Sequence, residues 1–139
     1  MLLLHRTFIR LALAFLILGV GAGAVLELGR SWGDGGWLVP VTLHVHLLAV
    51  GFLLNMVMGV AHWMFPRLPG TTARTAARDP LGWANLLALN GGLLLRIPGE
   101  MLPSPNVRVL AAVLQALGVA FFVGAIWKRV RFPKVAASG

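Results

Sequence analysis

An otherwise apolar stretch, LHVHLLAVGF at residues 43–52, contains two histidines, His44 and His46. Imidazole is a common ligand of haem iron and of metal ions, and ionisable groups at membrane depth are costly and usually functional. Successive residues of a helix are about 100° apart, so these two side chains project roughly 200° apart and cannot ligate one metal ion together. The pair therefore predicts two separate ligand positions. A haem at this level is either five-coordinate or takes its second ligand from another copy of the chain.

A third histidine, His62, lies 18 residues after His44. In an α-helix this spacing is five whole turns, so it predicts that His62 returns to the same helix face about 27 Å further along. That face also carries Gly51, Asn55 and Met58, a line of small or polar positions. Gly51 and Asn55 are accordingly candidate cofactor-binding residues. The alternatives are that glycine permits close helix approach and that asparagine hydrogen-bonds between helices.

The composition indicates that these residues belong to a membrane protein. The chain has 139 residues, of which 58% are hydrophobic and 12% charged, and its mean hydropathy is +0.85. A soluble domain of this size has no use for so much apolar surface, because its exterior must face water. Cysteine is absent, which excludes disulfides, thiolate haem ligation and iron–sulfur clusters. The net charge of +8 is spread between apolar runs and forms no stripe for nucleic acid.

Four apolar runs must position the histidines, and each is close to the ~20 residues that cross ~30 Å of hydrocarbon. They cover residues 7–28, 40–65, 81–97 and 107–127, and the third is the shortest. Pro40 and Pro80 suit the first turn of a helix, whereas Pro66 and Pro98 indicate where a helix ends. We therefore predict an all-α fold, an integral membrane four-helix bundle that forms a single domain over residues 1–139.

The basic residues predict the orientation of this bundle. Nine of the 12 lie at the N-terminus, in the loop between the second and third runs, or at the C-terminus. By the positive-inside rule, both termini are then cytoplasmic in a multi-pass protein of the inner (plasma) membrane. This topology places His44 and His46 towards the outer surface and His62 near the cytoplasmic end.

The stretch HVHLLAVGFLLNMVMGVAHWMFPR, residues 44–67, resembles the histidine-bearing helices of the catalytic subunit of haem–copper oxidases and nitric oxide reductases. It is similar above all to short four-helix proteins often grouped with these oxidases. In the large family, a His-x-His helix supplies ligands to two different haems, one on each side, and His44 and His46 match that pattern. The catalytic subunit is similar to three four-helix units around a pseudo-threefold axis. The resemblance therefore implies that this chain corresponds to one unit and that a homotrimer rebuilds the ring.

The chain departs from the family where oxygen chemistry would occur. It has only four histidines, without a His-His dipeptide for a three-histidine copper site, and it has no tyrosine. Glutamates that would bind non-haem iron are also missing from the helix interiors. What the resemblance leaves is haem b held by histidine, suited to electron transfer or to binding a diatomic gas in respiration or nitrogen-oxide metabolism. Whether the protein catalyses a reaction stays open.

Two further residues are candidates for the haem site. Arg96 closes the third run at the outer level, where its planar guanidinium suits a haem propionate; the alternative is an anchor that extends to the membrane surface. Trp37 could line a haem edge or belong to the interfacial aromatic belt.

Two other functions compete with the haem hypothesis. His44, His46 and His62 could serve a module that binds or transports copper or zinc, although no Met-rich or acidic relay accompanies them. The chain could instead be a structural or assembly subunit of a respiratory complex. A smaller variant of the haem hypothesis adds a second cofactor between His62 and His5.

Overall fold

Five helices make up the part of the chain that the structure, a computed structural model, describes, namely residues 2–32, 39–65, 70–102 and 104–131. They are α1 (Leu3–Ser31), α2 (Val41–Met64), α3 (Ala73–Ala77), α4 (Pro80–Met101) and α5 (Pro105–Arg131). No strand occurs within these residues, so the all-α prediction is confirmed. The four long helices coincide, within four residues at either end, with the four predicted apolar runs. The short helix α3 was not predicted.

Three of the long helices are long and apolar enough to cross a membrane: α1, α2 and α5. The fourth, α4, is less apolar because Asn85, Asn90 and Arg96 interrupt its run of leucines. Both asparagines are buried against neighbouring helices, so their amides do not face the surroundings of the bundle. The polarity of α4 thus belongs to the interior of the bundle.

The first turns of α1 and the last turns of α5 lie at the same end of the bundle. His62, near the end of α2, contacts the rings of His5 from α1 and Phe122 from α5. Arg129 of α5 pairs with Asp79, directly before α4. Consecutive long helices are therefore antiparallel, and the start of α1 and the end of α5 lie at one end of the bundle. We call this the His62 end, and the opposite end, where α2 begins, the His44 end.

The middle of α2 is a π-helix in which Leu47–Leu54 form i→i+5 hydrogen bonds. Such turns hold more residues than α-turns, so the helix face drifts relative to α-helical spacing. As a result, the buried face of α2 runs from Leu43 through Gly51 and Asn55 to His62. His44 lies beside this face and is half-buried. The prediction that His44 shares a helix face with Gly51 and Asn55 holds only for an α-helix throughout. It therefore does not describe this π-helical segment.

Helix α4 continues through Pro98 to Met101, so the prediction that it ends before Pro98 is wrong. Pro98 has no N–H, so α4 lacks one hydrogen bond, the one to the carbonyl oxygen of Leu94. The turn has two supports of its own. The Leu102 N–H donates to the Pro98 carbonyl at 2.8 Å, and Arg96 pairs with Glu100 at 2.8 Å.

Glycines set the distance between the helices. A Cβ on Gly118 of α5 would lie 2.8–2.9 Å from backbone and Cβ atoms of Leu89 in α4. One on Gly92 of α4 would lie 2.7 Å from the carbonyl oxygen of Ala111 in α5. Because backbone atoms face backbone atoms here, α4 and α5 can pack this closely only without side chains.

We predict that Gly118→Ala destabilises the protein, by about 1–3 kcal/mol, because the backbone of Leu89 has no room to yield. Gly124→Ala in the same helix is the matched control. Its added methyl group meets nothing within 4 Å, so its unfolding temperature should stay unchanged or rise slightly. Thermal unfolding of both variants in detergent checks this, and equal effects would contradict the close packing of α4 on α5.

Candidate functional site

His44 lies in a notch on the surface of α1. Its Nδ1–H donates to the carbonyl oxygen of Gly19 at 2.8 Å, one turn before Gly23. A Cβ on Gly23 would lie only 2.7 Å from the His44 Cε1 atom. The missing side chain at Gly23 is therefore what lets the imidazole lie against α1, and the hydrogen bond fixes its orientation there.

His46 has a different partner. Its Nδ1–H donates to the carbonyl oxygen of Thr42, one turn earlier in the same helix, at 2.8 Å, and the ring is partly exposed. The two imidazoles thus have different environments. His44 is held by a neighbouring helix, whereas His46 is held by its own helix.

Both hydrogen bonds determine the tautomer of the neutral ring. A carbonyl oxygen only accepts, so Nδ1 must carry the proton in His44 and in His46. The Nε2 atom then has a free lone pair, which is the form of imidazole that ligates metals. Histidines that bind metals usually donate their other ring nitrogen in this way, and the donation fixes the ring and raises its basicity.

Gly51 and Asn55 lie in the interior of the bundle and do not join the histidine pair. A Cβ on Gly51 would meet the side chains of Phe15 and Leu93 at 2.7–2.9 Å. Asn55 is fully buried and accepts a hydrogen bond from Asn90 Nδ2 at 3.0 Å. The Asn55 amide also donates to the Gly51 carbonyl at 3.0 Å, where the π-helix of α2 ends. In this chain, both residues serve the packing of α2 on α1 and α4.

Arg96 lies at the His44 end, in the penultimate turn of α4. Leu93, one turn before Arg96, packs in one cluster with Leu43, which is next to His44. Arg96 therefore lies at about the same level of the bundle as His44 and His46. The Arg96 guanidinium pairs with Glu100 at 2.8 Å, and both of these side chains are largely buried. The remaining guanidinium donors are the ones that could meet another anion. Trp37 lies outside the described residues.

A second polar cluster occupies the His62 end, inside the bundle. The rings of His5 and His62 have centroids 6.5 Å apart and planes 7° from parallel. The Nε2 of His62 lies 3.3 Å from Asn85 Nδ2, which makes Asn85 the donor. Phe8 and Phe122 cover the His62 ring at centroid distances of 5.7 and 5.6 Å. The cluster is closed by aromatic rings, and His62 is 2% exposed.

An ion pair closes the outside of this cluster. Arg129 NH1 donates to the carbonyl oxygen of His62 at 3.2 Å, and its NH2 donates to Asp79 Oδ2 at 3.0 Å. Asp79 is the N-cap of α4, because its Oδ1 accepts from the Leu81 N–H at 3.2 Å. One arginine thus ties the ends of α2 and α5 to the start of α4. The sequence uses Asp79 and Arg129 only as indicators of orientation and does not single out Asn85. The signal for a site is a polar or charged residue near each end of an apolar run.

The three histidines proposed for a copper or zinc site are not together. His44 and His46 begin α2, whereas His62 lies in its last turns at the other end of the bundle. Within the described ranges, no group of three or more His, Asp or Glu side chains could hold a metal ion. The structure therefore brings His62 together with His5, as one sequence alternative had proposed, and not with the His44–His46 pair.

Comparison of the chain with protein-family models, with curated proteins and with solved structures finds no match.

We predict that Gly23→Ala displaces the His44 ring and leaves His46 unchanged, because the new methyl group would overlap Cε1 of His44. Gly21→Ala is the control, since a Cβ at that position meets nothing within 4 Å. The readout is the ¹⁵N NMR spectrum of histidine-labelled protein in haem-free micelles. The unmodified protein should show Nδ1–H tautomers at both residues, and an Nε2–H tautomer at either would contradict this geometry.

Proposed function

We propose that this protein is a membrane haem b protein in which His44 of one chain and His46 of another ligate the haem iron across a subunit interface. The assembly is a homo-oligomer, a trimer by the resemblance to haem–copper oxidases. Bound haem b supplies a one-electron redox couple and an iron that can bind a diatomic gas. The proposed role is accordingly electron transfer or gas binding in respiration or nitrogen-oxide metabolism.

One observation carries this proposal: both imidazoles of the pair donate Nδ1–H to a backbone carbonyl at 2.8 Å. In its neutral form, an imidazole held in this way offers the Nε2 lone pair as a ligand, and two such rings would suit haem iron. The donor set therefore fits the group.

The divergence of the two rings supports a site between chains. His44 lies against α1 of its own chain and His46 bonds within α2, so the two Nε2 atoms have no common target in one chain. A bis-histidine site needs ligands from opposite sides of a porphyrin. Closed symmetry supplies them, because each chain can offer His44 to one neighbour and His46 to the other.

The orientation of α4 and the ion pair of Arg96 bear on the position and charge of this site. We propose that α4 is the fourth membrane span, packed inward through its asparagines, and that both termini are cytoplasmic. Arg96 then lies at the level of the histidine pair, where its spare guanidinium donors would bind a haem propionate while Nε stays paired with Glu100. This arrangement keeps the buried arginine neutralised whether or not a propionate is present.

The absorption spectrum of the protein purified in detergent tests the proposal, after expression with ample haem. The oxidised protein should show a Soret band, and the reduced protein should show the bands of six-coordinate haem b. His44→Ala and His46→Ala should each abolish the six-coordinate spectrum, because each removes one axial ligand. Size-exclusion chromatography of the variants controls for folding.

His5→Ala is the matched control, since His5 belongs to the cluster at the other end of the bundle. It should leave the spectrum unchanged. A colourless unmodified protein would refute the proposal. So would a haem that survives both His44→Ala and His46→Ala but is lost in His5→Ala.

A further inference from the structure

A cavity lined by both polar and apolar side chains opens at the His62 end, at the opposite end of the bundle from the proposed haem site. Its volume is about 260 Å³, several times the ≈30 Å³ that one water occupies in the liquid. The side chains that line it with polar groups are Thr71, Thr75, Asp79, Lys128 and Arg129. It lies where residues 71–79, the start of α4 and the end of α5 meet.

The charges around this cavity favour an anion. Both carboxylate oxygens of Asp79 are already engaged, one by the Leu81 N–H and the other by Arg129. Lys128 is exposed and has no carboxylate within ion-pair distance in the part of the chain that the structure describes. Two cations therefore face one satisfied carboxylate, which leaves the lining with one net positive charge.

Donors for the oxygens of an anion are available beside this charge. Arg129 donates one N–H to Asp79 and one to the His62 carbonyl, and these contacts hold its guanidinium in place. A guanidinium has five N–H groups in all. Lys128 adds three donors and Thr71 adds a hydroxyl. A phosphate group, with several charged oxygens, is the ligand that such a set of donors suits.

The position of the cavity along the bundle, beside three tryptophans, indicates the source of a phosphate group. Trp63 near the end of α2, Trp83 in the first turn of α4 and Trp127 near the end of α5 all lie at the same end of the bundle. Tryptophans in this arrangement mark the membrane–water interface, where phospholipid phosphates are found. Basic pockets between helices on the cytoplasmic side are known as sites for anionic lipid headgroups.

We infer that the cavity between α3, α4 and α5 binds a phosphate group through Lys128, Arg129 and Thr71, supplied by an anionic phospholipid headgroup or by free phosphate. The inference is independent of haem. It gives the ion pair between Arg129 and Asp79 a second purpose, because the carboxylate orients the arginine that a phosphate would meet.

The test uses the full chain, delipidated in an uncharged detergent, with three separate probes: dioleoylphosphatidylglycerol, dioleoylphosphatidylcholine and sodium phosphate. Native mass spectrometry measures lipid retention, and thermal unfolding measures stabilisation by phosphate. Phosphatidylglycerol should be retained in preference to phosphatidylcholine, because choline adds a positive charge beside the basic lining. Lys128→Gln should weaken this retention about tenfold, through the loss of one charge-assisted contact.

Arg6→Gln is the matched control. It removes one exposed positive charge at the same end of the bundle without touching the cavity lining, and retention should be unchanged. Thr71→Val, which changes no charge, should weaken retention about threefold through the loss of one neutral hydrogen bond.

The outcomes separate the two sources. Retention of phosphatidylglycerol that Lys128→Gln weakens supports a lipid headgroup. Stabilisation by sodium phosphate that the same variant abolishes, without lipid retention, supports free phosphate. Equal binding in Lys128→Gln and the unmodified protein overturns the inference. Equal losses in Lys128→Gln and Arg6→Gln also overturn it, because they would indicate general surface charge.

Discussion

A polar side chain buried between helices has no water to bond with, so it needs a partner inside the protein. This constraint explains how the bundle is arranged. Asn90 of α4 reaches Asn55 of α2 at 3.0 Å, and Asn85 reaches His62 at 3.3 Å. These contacts turn the polar side of α4 towards α2. The polar side of α4 thereby faces the interior, whereas Leu87 and Leu94 of the same helix are exposed. The glycines between α4 and α5 allow these two helices to pack closely.

The same constraint acts differently on the two ends of α2. At the His62 end, the imidazole bonds to Asn85 and lies between Phe8 and Phe122, in a closed environment. At the His44 end, each ring is bonded through Nδ1 to a carbonyl and remains partly accessible. One pair of histidines is enclosed by the fold, whereas the rings of the other pair are bonded through Nδ1 and are only half-buried. The proposed function therefore belongs to the His44 end.

The sequence predicts the helices well, because apolar length and proline position are local properties. It predicts less well where distant residues decide the outcome. The π-helix in α2 changes which residues share a face with His44, and nothing in the spacing of Gly51 and Asn55 indicates it. Pro98 does not stop α4, since a hydrogen bond and the Arg96–Glu100 pair support the last turn. Arg96 pairs with Glu100, four residues later, and the expectation that it binds a haem propionate does not include this partner.

The candidate site shows the same division. That the rings of His44 and His46 diverge follows from helix geometry and could be predicted. That Gly23 provides the notch for His44 depends on how α1 packs on α2, which becomes visible only in three dimensions. The cluster of Asn85, Asp79 and Arg129 joins residues up to 50 positions apart, so no local motif indicates it.

Co-assembly of two defective variants tests the central claim most directly, namely that each haem takes its two ligands from different chains. Chains carrying His44→Ala and chains carrying His46→Ala, expressed separately, should each lack the six-coordinate haem spectrum. Expressed together in equal amounts, they should recover about a quarter of the original haem, because in a symmetric ring one interface in four receives both ligands by chance. Mixed oligomers that contain both chains but recover none of this spectrum would contradict the account.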